Sequence, residues 1–238
     1  MRGIRKAFVA VAAVTVLGGC VHDSASSSRN ARVVTKSMQA AMTPDTVLAD
    51  LKAGNKRFVQ GRNTSQDWLA QAAKTAEDGQ YPKAIVLSCV DSRVPTEIVF
   101  DQAIGDIFVA RVAGNFENAD MLGSMEFGTR LAGSRVIVVL GHTSCGAVKG
   151  AIADARLGNL TATLDNIQPA VASAMAGMPG GSGDDPAFVQ RVVEENVRIT
   201  VRDIETQSPV IAALIAAGDL KVVGAWYDLA TGQVTWMD

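Results

Sequence analysis

Two short apolar runs, residues 84–87 and 136–140, each lead into a motif with metal-ligand chemistry: Cys89-x-Asp91-x-Arg93 after the first, His142-x-x-Cys145 after the second. Runs of four or five residues rich in Val and Ile are too short for helices and read as buried strands of a parallel sheet. Open α/β sheets bind ligands beyond the carboxyl ends of their strands, where neighbouring crossovers diverge, so the two motifs are expected to meet at one place. Together they offer two thiolates, an imidazole and a carboxylate, a donor set suited to one zinc ion. The chain has three cysteines and two histidines. Cys20 and His22 lie in the N-terminal leader and tail, so the folded part commits both of its cysteines and its single histidine to these motifs.

The remaining pattern predicts a single α/β domain over residues 43–238. Thr43-Pro44-Asp45 starts a helix, with a capping hydroxyl, proline at the first helical position and an acid in the first turn. A third apolar run at 107–110 is followed by helical periodicity over 118–131, which with the run at 136–140 makes a βαβ unit. Helices are expected from 146 to about 157, over 186–205 and over 209–217, with a Gly-rich loop at 179–183. Residues 220–227 read as a fourth strand and 233–236 as an antiparallel edge strand. The expected fold is therefore α/β, a mostly parallel central sheet of about five strands with flanking helices. With 238 residues, 48% of them hydrophobic, the chain can bury one sizeable core.

At the N-terminus, Arg2, Arg5 and Lys6 precede an apolar stretch at 7–17 and then Gly18-Gly19-Cys20, which reads as a signal peptide over residues 1–19. It is too short to serve as a stable membrane span. Leu17-Gly18-Gly19-Cys20 resembles a bacterial lipobox, whose cysteine is lipidated and becomes the mature N-terminus; Val21 in place of aspartate favours sorting to the outer membrane. The expectation is an exported, periplasmic protein held to the membrane only by lipid on Cys20. Residues 20–42, rich in Ser and small polar residues, read as a flexible tether reaching ~25 Å, with a short helix over 33–42 as the alternative. A net charge of -2 gives no electrostatic footprint for nucleic acid, and the expected substrate is small.

The stretches Cys89-Val90-Asp91-Ser92-Arg93-Val94-Pro95, Phe108-Val109-Ala110-Arg111-Val112-Ala113-Gly114-Asn115, Gly141-His142-Thr143-Ser144-Cys145-Gly146 and Val222-Val223-Gly224-Ala225-Trp226-Tyr227-Asp228 resemble the β-class carbonic anhydrases. The resemblance runs from about Thr43 to Trp236. It implies reversible hydration of carbon dioxide to bicarbonate, with zinc held by Cys89, His142 and Cys145 and a fourth position kept for water. Asp91 then has two possible jobs: a fourth metal ligand that closes the site, or, paired with Arg93, an acceptor that orients the reacting water. The resemblance also implies that Gln80, just before the first strand, hydrogen-bonds substrate, and that the chain forms a homodimer or higher homo-oligomer with pockets lined from both subunits.

Two thiolates cancel the charge of the dication, so the bound water should be less acidic than at a three-histidine site. No second histidine is available in the domain to shuttle protons. Other readings of the same residues are a CS2 or COS hydrolase on this fold, a non-catalytic zinc-responsive module kept closed by Asp91, or a Cys89–Cys145 staple. Asp101, Asp106, Arg111 and Asn115 read as caps or buried pairs. Trp68, Trp226 and Trp236 read as core or subunit-contact residues.

Overall fold

The computed structural model describes residues 30–237. The signal peptide and Cys20 lie outside the described residues. In chain order the elements are α1 (Lys36–Ala40), α2 (Pro44–Val59), α3 (Trp68–Asp78), β1 (Ala84–Ser88), α4 (Thr96–Val99), β2 (Ile107–Arg111), α5 (Ala119–Glu126), β3 (Val136–His142), α6 (Gly146–Ile152), α7 (Gly158–Asp165), α8 (Gln168–Gly177), α9 (Pro186–Gln207), α10 (Pro209–Ala216), β4 (Lys221–Tyr227) and β5 (Val234–Trp236). The five strands form one sheet in the order β2-β1-β3-β4-β5. All pairs are parallel except β4 with β5.

The order places the functional end. From β1 the chain goes outward to β2 on one side and returns to β3 on the other, so crossovers diverge above the carboxyl ends of β1 and β3. Every residue of both strands is buried, as expected of apolar strands covered on both faces. One face packs against α2 and α4 through Val47, Leu51, Val86, Val138 and Phe100. The other packs against α9 and α10 through Ile85, Ile137, Val139, Val197 and Ile211. α9 lies directly on the sheet because β3 and β4 carry glycine there: a Cβ at Gly141 would sit 2.9 Å from both Val193 and Val197, and one at Gly224 would sit 2.8 Å from Val197.

Local signals in the sequence appear where expected. Thr43 and Thr46 form a reciprocal capping box at the start of α2, with Pro44 at the first helical position. Asn118 caps α5, accepting the Met121 N–H at 2.9 Å. The helix expected to reach 131 ends as an α-helix at Glu126 and widens into a π turn over Phe127–Leu131, with Ala132 N–H bonded to the Phe127 carbonyl. The helix from Gly146 stops at Ile152, where Asp154 takes a left-handed φ of 50°. Asp101 and Asp106 act as buried acceptors: Asp101 pairs with Arg57 at 2.5 Å, and Asp106 accepts the Val34 N–H at 2.8 Å.

The tether expected over 20–42 does not extend to residue 42. From Asn30 onward the chain lies on the domain: Asn30 pairs with Gln66, Val33 and Val34 are buried, and α1 packs Gln39 against the carbonyls of Pro82 and Ala132. Two buried valines and their backbone bonds outweigh the polar composition that suggests a coil. Of the tryptophans, Trp236 packs on Phe100 with ring centroids 6.0 Å apart, whereas Trp68 is 44% exposed and is not a core residue of this chain.

Candidate metal centre

β1 delivers Cys89 one residue past its end, and β3 delivers His142 as its last residue; Ser88 pairs with Leu140, so Cys89 comes level with Gly141, one residue short of His142. Beyond His142 the chain turns through Ser144, whose φ of 55° is left-handed, and presents Cys145 at the start of α6. The sulfurs of Cys89 and Cys145 are 4.0 Å apart. One ligand atom from each of Cys89, His142 and Cys145 falls within 4.8 Å of the others, and all three residues are buried.

These donors fit a tetrahedral zinc ion. Zinc–sulfur bonds of about 2.3 Å imply a sulfur–sulfur edge of about 3.8 Å, near the separation observed. His142 Nδ1 lies 2.9 Å from the Thr143 carbonyl oxygen, which can only accept, so Nδ1 carries the proton and Nε2 the lone pair. That Nε2 is buried and has no hydrogen-bond partner. A buried nitrogen lone pair left unpaired beside two sulfurs is what a metal ligand looks like without its ion.

The thiols share a proton. The hydrogen bond from Cys145, helped by the Gly114 N–H, pulls the Cys89 thiol well below its ordinary value. The Cys89 thiolate and burial push the Cys145 thiol up in return. An incoming dication would release the remaining proton.

Asp91 is not among the clustered donors. Its carboxylate is held on both oxygens by Arg93: Oδ1 accepts from Arg93 N–H and Nε at 2.9 Å each, and Oδ2 accepts from Nη2 at 2.8 Å. The guanidinium keeps the Asp91 carboxyl well below the usual carboxylate range. Oδ2 stands 3.9 Å from His142 Nε2, at the edge of the cluster. The geometry is that of the paired arrangement, with Asp91 beside the metal position.

Gln80 is not brought to this site by its own chain. It is exposed at the amino edge of the sheet, near Gly105 before β2. The five residues of β1, at about 3.3 Å each, put roughly 16 Å between that edge and the cluster. Arg111 and Gly114, in contrast, both touch the site. Arg111 bonds the main-chain carbonyls of Cys89 and Asp91, and the Gly114 N–H reaches the Cys89 sulfur at 3.4 Å.

Comparison with known proteins agrees with this geometry. The family model described as carbonic anhydrase matches residues 84–234, which spans the sheet and both motifs. Carbonic anhydrase 2 of Mycobacterium tuberculosis (strain ATCC 25618 / H37Rv) is 40% identical over 192 residues, 79% of this chain and 90% of that protein. The carbonic anhydrase of Mycolicibacterium smegmatis is 37% identical over 186 residues, 77% of this chain and 88% of that protein. Among solved structures, the β-carbonic anhydrase CcaA superposes with a TM-score of 0.65 at 25% identity, covering 81% of this chain and 95% of that one. The β-carbonic anhydrase CafA of Aspergillus fumigatus gives 0.64 at 27% identity, covering 82% and 90%. Fold and site define an open-sheet α/β enzyme with a Cys-His-Cys centre. The chain belongs to the carbonic anhydrase family, in its β class.

Proposed function

We propose that the chain hydrates carbon dioxide reversibly to bicarbonate and a proton, using zinc held by Cys89, His142 and Cys145. The observation that carries this reading is the buried, unpartnered His142 Nε2 facing two sulfurs 4.0 Å apart, while Arg93 holds Asp91 to one side. When bound there, zinc supplies Lewis acidity and a fourth position at which the pKa of water falls toward ~7. Asp91 Oδ2, beside the ligand cluster, would accept a hydrogen bond from the attacking water or hydroxide and so point an oxygen lone pair at the substrate carbon. Arg93 keeps that carboxylate ionised and turned away from the ligand set. The wall behind the cluster is apolar, with Phe116, Val148 and Ile167 packed around Cys89 and Cys145, and suits an uncharged, nonpolar substrate.

The bidentate Asp91–Arg93 pair favours the enzyme over a closed zinc-responsive module, in which the carboxylate would join the ligands. Metal analysis with stopped-flow hydration of carbon dioxide on the full chain tests the reading. One zinc per chain with hydration in the alkaline range supports it. Zinc without hydration at any pH, or turnover of COS or CS2 alone, refutes it.

We also infer that two copies associate through β2. This is an edge strand whose Phe108, Val109 and Ala110 are half-buried, beside exposed Val90, Phe127 and Leu131. Because Gln80 cannot reach the cluster of its own chain, its substrate contact would come from a second copy; a monomer in analytical ultracentrifugation with full activity would exclude this. Export, and anchoring to the outer membrane through lipid on Cys20, complete the proposal on the strength of the leader sequence.

A further inference from the structure

We propose that Arg111 is a positioning residue whose guanidinium fixes the main chain of Cys89 and Asp91, and thereby the spacing between the proposed metal thiolate and the carboxylate beside it. The proposal rests on the metal reading above.

Arg111 is the last residue of β2 and pairs in register with Ser88, the residue before Cys89. Its side chain therefore starts beside the metal loop. Nε donates to the Cys89 carbonyl at 2.8 Å and Nη2 to the Asp91 carbonyl at 2.5 Å. One planar fork thus bridges the carbonyls of residues i and i+2, which a lysine ammonium, a single point donor, cannot reproduce. Arg111 is exposed, and among the described residues its side-chain bonds go to main-chain carbonyls and to no carboxylate. An exposed arginine with no acid to pair gains little fold stability from surface charge. What its two bonds do is hold the backbone that carries a thiolate on one side and Asp91 on the other.

The same end of β2 reaches Cys89 a second time, through the Gly114 N–H to the sulfur. The carbonyl and the sulfur of one ligand residue are therefore both held from the end of β2 and the turn after it. Partners of this kind, which orient ligands without touching the metal, commonly change metal affinity 10–100-fold when removed, an order-of-magnitude guide here of about tenfold or more. Freed from Arg111, the Asp91 carbonyl and the carboxylate it carries would swing relative to His142 Nε2.

The test uses the full chain with Arg111→Met, which keeps the aliphatic stem, and Arg111→Ala. Three measurements are made: zinc affinity by competition with a chelator, denaturant unfolding of the metal-free protein, and kcat and KM for carbon dioxide hydration. Arg111→Met is expected to bind zinc about tenfold or more weakly, with kcat reduced more than KM is changed and metal-free stability close to wild type. In Arg111→Ala, added ethylguanidinium should restore part of the zinc affinity and of kcat, whereas ethylammonium should not. Wild-type zinc affinity and kcat in Arg111→Met overturn the proposal. So does a loss of metal-free stability as large as the loss of zinc binding, or equal rescue by the two cations. Failure of the wild-type chain to bind zinc would instead refute the metal reading itself.

Discussion

Asn196 on α9 and Gly114 after β2 are joined by a buried hydrogen bond, the Asn196 Nδ2 donating to the Gly114 carbonyl at 2.7 Å. Gly114 in turn donates its own N–H to the Cys89 sulfur, so a helix residue far along the chain steadies one proposed ligand. Asn196→Ala leaves a buried carbonyl without its partner, a cost of about 1–3 kcal/mol. The expected outcome is lower stability together with faster removal of zinc by a chelator. Unchanged zinc release at lowered stability would show that Asn196 serves packing alone.

Cys145→Ser should lose zinc and the order of the His142–Cys145 loop, because the ligand set would keep one thiolate and assembly of such a site is coupled to folding. Elemental analysis of the purified variant checks this. A full complement of zinc would refute the ligand assignment.

Arg93→Ala should leave zinc content intact while hydration falls by orders of magnitude, since the freed Asp91 carboxylate can then occupy the open position. Asp91→Asn should also slow turnover, by removing the acceptor, without producing that closed form. Wild-type rates in Arg93→Ala across the pH range would exclude this gating role.

The pH profile of the native enzyme should rise through neutrality into the alkaline range, because two thiolates neutralise the dication and disfavour deprotonation of its water. Asp91 is not the group responsible. Its hydrogen bonds with Arg93 hold the folded pKa below the ordinary aspartate range, so the stability they contribute is fully present above that range. That stability is lost only as pH falls through the depressed value. A rate profile with its acid limb near pH 4 would contradict both statements.

Cys20→Ala should release the protein from membranes or arrest processing of the leader, because one lipidated cysteine is the whole of the proposed attachment. Detergent-phase partitioning of wild type and variant side by side is the check, and equal partitioning would dismiss the anchor.

The parts of the molecule legible in the sequence are those with a local signal. The strand runs and the two motifs stand out because burial on both faces demands unbroken apolar residues, and metal ligation demands particular side chains at strand ends. α3 gave no such signal: its one buried residue is a glutamine, Gln71, so no apolar stripe marks it. The segment from Asn30 to Ala41 reads as either a tether or a short helix, and the structure has the helix, for a related reason. It is held by two valines and by side-chain bonds from Gln39 and Asp106, contacts between residues far apart in sequence. Arg111 read as an ordinary structural arginine because its partners are carbonyls, which every residue possesses. The place of Gln80 was hidden too, since only the strand direction shows that it leaves from the end opposite the cluster.

Cys89 and Cys145 are separated by 56 positions in the chain and meet only because β1 and β3 lie side by side. No fragment ending before β3 contains a complete binding set, and pairing of parallel strands is a slow, non-local event in folding. A metal ion at this site would therefore be captured by a nearly finished domain. A polypeptide threaded across a membrane in extended form would carry no zinc with it, and would have to find the metal in the compartment where it folds. Refolding with a fluorescent zinc indicator would show this as uptake that lags the burial of the core, and uptake preceding that burial would exclude it.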